Sequence, residues 1–208
     1  MDLAKFKQQP IMGIMRDVSM EIIDPLLETV IDSGLKTIEI AMNTKNAEHL
    51  IRQAVKKSAG RLTIGAGTVL DLETLQTALQ AGATFIVMPT FIPEIVQYCV
   101  TNKIPVFPGA LTPQEIFSAW RSGATMVKVF PAKTFGPEYF KELKGPFKDI
   151  ELLACSGVSP ANLKIYLANG ASAVAFGSSV FRPDWLDNRE FPSINRRISQ
   201  YLAALINS

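Results

Sequence analysis

Short apolar runs recur along this chain at nearly even intervals, and that recurrence limits what it can fold into more than any single residue does. The runs are residues 11–15, 35–40, 62–66, 84–88, 104–107, 125–129, 150–154 and 172–176. Successive starts lie about 20 to 27 residues apart, room for one helix between each pair, which predicts parallel strands joined by helical crossovers. The strand entries at Ser33-Gly34-Leu35, Ala81-Gly82-Ala83, Ser122-Gly123-Ala124 and Asn169-Gly170-Ala171 share a glycine placed to end the preceding helix. Helix starts are equally legible. Asp71, Thr112 and Ser159 are cap residues; Pro113 and Pro160 follow the latter two at the first helical position, and Thr112 with Glu115 makes a capping box.

Eight such units closed on themselves make a (β/α)8 barrel, an α/β fold for which 208 residues is near the lower limit. With 48% hydrophobic side chains the chain can bury a full core, and one domain over residues 1–208 is the expectation. An open doubly wound sheet is the alternative, but it usually has a glycine-rich loop after its first strand, and here that strand runs into Arg16-Asp17-Val18-Ser19. Gly65-Ala66-Gly67-Thr68 lacks the third glycine of a dinucleotide fingerprint and reads as a loop that brings backbone close to a ligand.

Two of the runs contain a charge. Lys128 lies within Met126-Val127-Lys128-Val129-Phe130-Pro131, and Glu39 within Thr37-Ile38-Glu39-Ile40-Ala41. Strand alternation puts Met126, Lys128 and Phe130 on one face, and Thr37, Glu39 and Ala41 together on theirs. Each charge alone reads as a snorkelling or ion-paired structural group. Both in one short chain shift the weight to chemistry, because burial disfavours the ammonium and yields the neutral amine that Schiff-base formation on a ketone requires.

The rest of the composition mainly excludes. A net charge of +2 is spread along the chain, and Arg196-Arg197, the densest basic cluster, has no interleaved aromatics, so nucleic acid is not an expected partner. Cys99 and Cys155 lie far apart in apolar or small-residue contexts and read as free thiols of a reducing compartment. No apolar run reaches the roughly 18 residues of a membrane span, and the start has no signal-peptide core, so the expected location is cytoplasmic, with no membrane partner. His49, the only histidine, sits in a polar helical stretch and reads as surface, which leaves no metal site built on imidazoles.

In a barrel of this kind chemistry comes from the C-terminal strand ends, and phosphate often binds after strands seven and eight. Strand seven ends in Cys155-Ser156-Gly157-Val158 and strand eight in Phe176-Gly177-Ser178-Ser179, turns whose backbone N–H groups, with the helix N-termini beyond them, suit an anion. Arg16 after strand one and Gly67-Thr68 after strand three could hold a carboxylate, while Arg16 could instead pair with Asp17 or Glu39; Pro89 ends strand four beside them. Lys133 is the rival amine, placed in a loop that leaves it solvated.

Taken in order, Glu39-Ile40, Gly65-Ala66-Gly67-Thr68-Val69, Phe107-Pro108-Gly109, Thr112-Pro113-Gln114-Glu115, Val127-Lys128-Val129-Phe130-Pro131-Ala132 and Gly177-Ser178-Ser179 resemble the 2-keto-3-deoxy-6-phosphogluconate and -phosphogalactonate aldolases, over about residues 10–183. The resemblance implies a metal-independent class I lyase without organic cofactor, assembled as a homotrimer, that splits a phosphorylated keto-deoxy sugar acid to pyruvate and glyceraldehyde 3-phosphate. It makes Lys128 the Schiff-base lysine and Glu39 the acid/base. Arg16 and Thr68 become pyruvate-side contacts, Gly157, Gly177 and Ser178 phosphate contacts, and Gly67 and Pro89 are further substrate-binding candidates. Asn43 stands where gluconate-type members carry arginine, a galactonate-like trait, and Cys155-Ser156-Gly157 departs from the usual glycine pair. A 4-hydroxy-2-oxoglutarate aldolase, another phosphate-binding barrel enzyme and a sugar-phosphate-binding protein without turnover are the rival readings.

Overall fold

A computed structural model describes residues 1–206, so residues 207–208 of the expected domain lie outside the described part. Strands β1 (Ile11–Met15), β2 (Thr37–Ala41), β3 (Thr63–Gly67) and β4 (Ile86–Val87) are each followed by a helix: α2 (Ile23–Asp32), α3 (Ala47–Ser58), α4 (Leu72–Gln80) and α5 (Pro93–Thr101). The fifth strand position is split into β5 (Val106–Phe107) and β6 (Gly109–Ala110), followed by α6 (Pro113–Arg121). Then come β7 (Val127–Val129), α7 (Glu138–Lys144), β8 (Leu152–Cys155), α8 (Leu163–Ala168), β9 (Ala173–Phe176), α9 (Pro183–Asp187) and the long α10 (Phe191–Ile206). A further helix, α1 (Leu3–Gln8), precedes β1.

All the strand pairs are parallel, in the order β5-β4-β3-β2-β1-β9-β8-β7-β6. The two ends of that order are the two halves of one strand. Val106 and Phe107 pair with Ile86 and Val87 on one side, while Gly109 and Ala110 pair with Lys128 and Val129 on the other. Proline has no N–H to give a ladder, so Pro108 interrupts the strand, yet its carbonyl still accepts from Lys128 N–H at 2.8 Å. The result is an eight-position barrel of nine segments, the expected (β/α)8 architecture.

The helices form because their apolar residues fall on one stripe. In α2 the buried residues are Ile23, Leu26, Leu27 and Val30, the i, i+3, i+4, i+7 pattern that turns one face to the sheet. Asp71 caps α4 by accepting from Thr74 N–H, and Thr112 and Glu115 make the reciprocal capping box of α6 with Pro113 beside it. One expected start lies elsewhere. Regular α8 begins at Leu163 with Asn162 as its flanking residue, because the Asn162 side chain is spent on the turn, accepting from Ser159 N–H at 2.7 Å and donating to the Gly157 carbonyl at 3.0 Å.

The lumen holds its own core. Met12, Phe85, Val87, Phe107, Met126 and Leu153 pack inside the ring, and Phe6 of α1 closes its floor edge-on to Phe107, with centroids 6.2 Å apart. Asp2 starts α1 by accepting from the N–H groups of Ala4 and Lys5. Filling the floor confines any ligand to the other mouth, where the strands end.

Candidate active site

Alternation along two strands carries both charged residues into the lumen. Glu39 on β2 is flanked in register by Ile14 and Gly65, and Lys128 on β7 by Gly109 and Leu153. These are strand positions two and six of eight, so the side chains face each other across the barrel. Both are buried, at 1% and 6% exposure. Phe130 lies just past the strand, 40% exposed, with the Lys128 Nζ 5.4 Å from its ring centroid.

Glycines make the room. A Cβ on Gly67 would overlap the Glu39 carboxylate, and one on Gly109 would overlap the Pro89 carbonyl. Glu39 Oε2 is fully buried and has no hydrogen-bond partner among the described residues. Burial pushes the Glu39 carboxyl above the ordinary carboxylate range, against the opposing pull of Lys128 and Arg16. A carboxyl with raised proton affinity and an unused oxygen is suited to pass a proton back and forth.

At the C-terminal mouth a cavity of about 740 Å³ opens. Arg16, Thr68, Pro89, Lys128, Gly157, Gly177 and Ser178 all line it, so most of the residues singled out in sequence meet in one place. Glu39 and Gly67 are not in its lining; the Glu39 carboxylate is buried in the lumen against Gly67. Arg16 donates from a guanidinium nitrogen to the Thr68 hydroxyl at 3.4 Å, and among the described residues it makes no ion pair with Asp17 or Glu39. Asp17 N–H donates to the Thr44 hydroxyl at 3.1 Å, which fixes the turn after β1.

The two glycine turns form the opposite side of the cavity. Ser156 (φ 84°) and Gly157 (φ 78°) both take left-handed backbone. Among the described residues the N–H groups of Gly157, Val158, Ser178 and Ser179 have no carbonyl or side-chain acceptor. The helices beyond are short, and α8 begins later than expected, so the turns themselves present the donors.

Several further groups line the cavity that sequence reasoning gave other roles or did not mark. Cys155 reads as core, and it is a free, buried thiol, but it also lines the cavity next to Lys128. Burial raises its thiol's proton affinity, and the Lys128 charge opposes that. Asp17, Lys133 and Asp187 line the rim; no pattern in the sequence marks Asp187, which α9 brings back to the mouth. Lys133 is exposed, as expected of a solvated loop amine, and a Cβ on Gly157 would run into its side-chain stem. Asn43 is exposed and is not among the cavity-lining residues. His49 lies on the surface beside Glu48, and among the described residues no group of three His, Cys, Asp or Glu side chains could hold a metal ion.

Comparison with known proteins agrees with this geometry. The pattern of the family described as KDPG and KHG aldolase matches residues 3–197. A 2-dehydro-3-deoxy-6-phosphogalactonate aldolase of Escherichia coli is 33% identical over 174 residues, 83% of this chain and 85% of that protein. A 2-dehydro-3-deoxy-phosphogluconate aldolase of Pseudomonas aeruginosa is 37% identical over 145 residues, 69% of this chain and 66% of its own length. The solved structure described as native KDPGal superposes with a TM-score of 0.88 at 30% identity, covering 94% of each chain. With its residues matched from the floor helix to the last helix, the chain belongs to the KDPG and KHG aldolase family.

Proposed function

We propose that this chain is a class I aldolase that cleaves a six-carbon 2-keto-3-deoxy acid 6-phosphate, with Lys128 as the Schiff-base nucleophile and Glu39 as the acid/base. One observation carries the reading: a buried amine at the end of strand position six opens into the cavity, opposite a buried carboxyl that has an unpartnered oxygen. The Lys128 Nζ, once neutral, adds to the C2 carbonyl carbon, and loss of water leaves an iminium. Glu39, directly or through a water, removes the C4 hydroxyl proton. The C3–C4 electron pair flows into the iminium, glyceraldehyde 3-phosphate leaves, and an enamine remains on Lys128. Protonation at C3 and hydrolysis release pyruvate and restore the amine.

Arg16 and Thr68, already in contact, suit the substrate carboxylate, with Gly67 and Pro89 shaping the wall beside them. The unpaired N–H groups after β8 and β9, together with Ser178, suit the distal phosphate. A single (β/α)8 domain, homotrimeric assembly and a cytoplasmic location belong to the same reading, supported by the family likeness.

Asp187 at the rim supports a second reading, because a carboxylate there opposes a dianion and would tolerate a shorter substrate such as 4-hydroxy-2-oxoglutarate. Comparing kcat/KM for the gluconate-type and galactonate-type 6-phosphates with that for 4-hydroxy-2-oxoglutarate separates the two. A strong preference for a phosphorylated acid is expected, with Asn43 favouring the galactonate epimer slightly. Equal or better use of the unphosphorylated acid would overturn it.

A further inference from the structure

Ser156 is the outlier of this site. Every other non-glycine residue with positive φ among the described residues lies between 46° and 60°, inside the ordinary left-handed well, whereas Ser156 sits at 84°. That conformation costs a serine free energy that a glycine would not spend, and such strain persists where surrounding structure and function hold it.

The side chain has an unused donor in the right place. Ser156 lines the cavity, and among the described residues its hydroxyl has no hydrogen-bond partner. Around it stand the unpaired N–H groups of Gly157 and Val158, the Ser178 hydroxyl across the turn after β9, and Lys133, whose stem packs over Gly157. A small hydroxyl amid unpaired N–H donors matches an oxyanion with several acceptor lone pairs.

We propose that the Ser156 hydroxyl donates to the terminal phosphate of the substrate and so sets how strongly this enzyme prefers phosphorylated over unphosphorylated keto-deoxy acids. The assignment rests on the phosphorylated-substrate reading above. Ser156 in this role is a binding residue of the distal end, remote from the bond that breaks, so its removal is read in KM and not in kcat.

Two variants test it. Ser156→Ala keeps the Cβ and the strained backbone but deletes the donor, while Ser156→Gly deletes both donor and strain. For Ser156→Ala, the ratio of kcat/KM between phosphorylated and unphosphorylated substrate should fall about tenfold through KM, the loss of one charge-assisted hydrogen bond. Inhibition by inorganic phosphate should weaken in parallel. Ser156→Gly should lose the same selectivity while its Tm rises by about 2 °C. A wild-type preference for phosphate that survives unchanged in Ser156→Ala would overturn the assignment alone, as would tighter phosphate binding in either variant, which would mean that the serine crowds the anion. Equal kcat/KM for both substrates in the wild type would overturn the phosphorylated-substrate reading, and this assignment with it.

Discussion

Replacing Glu39 with glutamine should move stability and activity in opposite directions. The wild-type carboxyl is buried, and its Oε2 has no partner among the described residues. An unsatisfied buried polar group costs about 1–3 kcal/mol, more when charged, and a neutral amide of the same shape costs less than a carboxylate. A gain of about 1–2 kcal/mol for Glu39→Gln is therefore expected at neutral pH. For a chain of this length that is roughly 3–6 °C in Tm.

The pH dependence fixes the cause. Burial raises the Glu39 carboxyl's affinity for its proton in the folded state, so the native protein holds that proton more tightly than the unfolded chain does. Stability from a raised acid is fully present below the unfolded value, near pH 4.3, and is lost as pH climbs through the higher folded value. The Tm advantage of Glu39→Gln should then be near zero in acid, grow as pH rises through that window, and level off above it. Turnover should meanwhile fall roughly 10²- to 10⁴-fold, because the amide keeps the shape without the basicity. Calorimetric Tm and steady-state rates over the same pH series measure both. A Tm difference that is flat with pH, or a variant less stable than wild type at neutral pH, would refute the argument from the unpaired oxygen.

Further outcomes follow from the same geometry. Lys128→Ala and Lys128→Arg should each abolish cleavage with the fold intact by circular dichroism, since an arginine does not become a neutral nucleophile; near wild-type turnover in either would move the nucleophile elsewhere. Gly67→Ala should displace the Glu39 carboxylate, costing about 1–3 kcal/mol of stability by overpacking and lowering kcat; a variant with unchanged kcat would show that the Glu39 position is not critical. Chelation with EDTA should leave the rate unchanged, and loss of activity restored by magnesium or manganese would contradict a Schiff-base mechanism.

The strands were legible because each is a short apolar run bounded by glycine or cap residues, and a barrel needs nothing more to be counted. The breaks were not. Pro108 ends the visible run at Phe107, yet Gly109 and Ala110 resume the strand, since the barrel needs carbonyls there as much as N–H groups, and a proline still supplies one. Helix α1 escaped notice because Leu3–Gln8 is short and polar and is held by tertiary contact through Phe6. At the candidate site, Lys128 and Glu39 stood out as charges inside apolar runs, and period-two alternation put each on one strand face, where the structure has both buried. Cys155 and Asp187 did not, because a small apolar residue on a strand and an acid on a helix look the same whether or not they face a cavity.

Covalent trapping reads out whether Lys128 is the nucleophile. The protein is incubated with pyruvate, reduced with borohydride, digested and read by mass spectrometry. One stable pyruvate adduct is expected, on the peptide that carries Lys128, and none in Lys128→Arg. An adduct on Lys133, or pyruvate that binds and leaves no adduct at all, would contradict it.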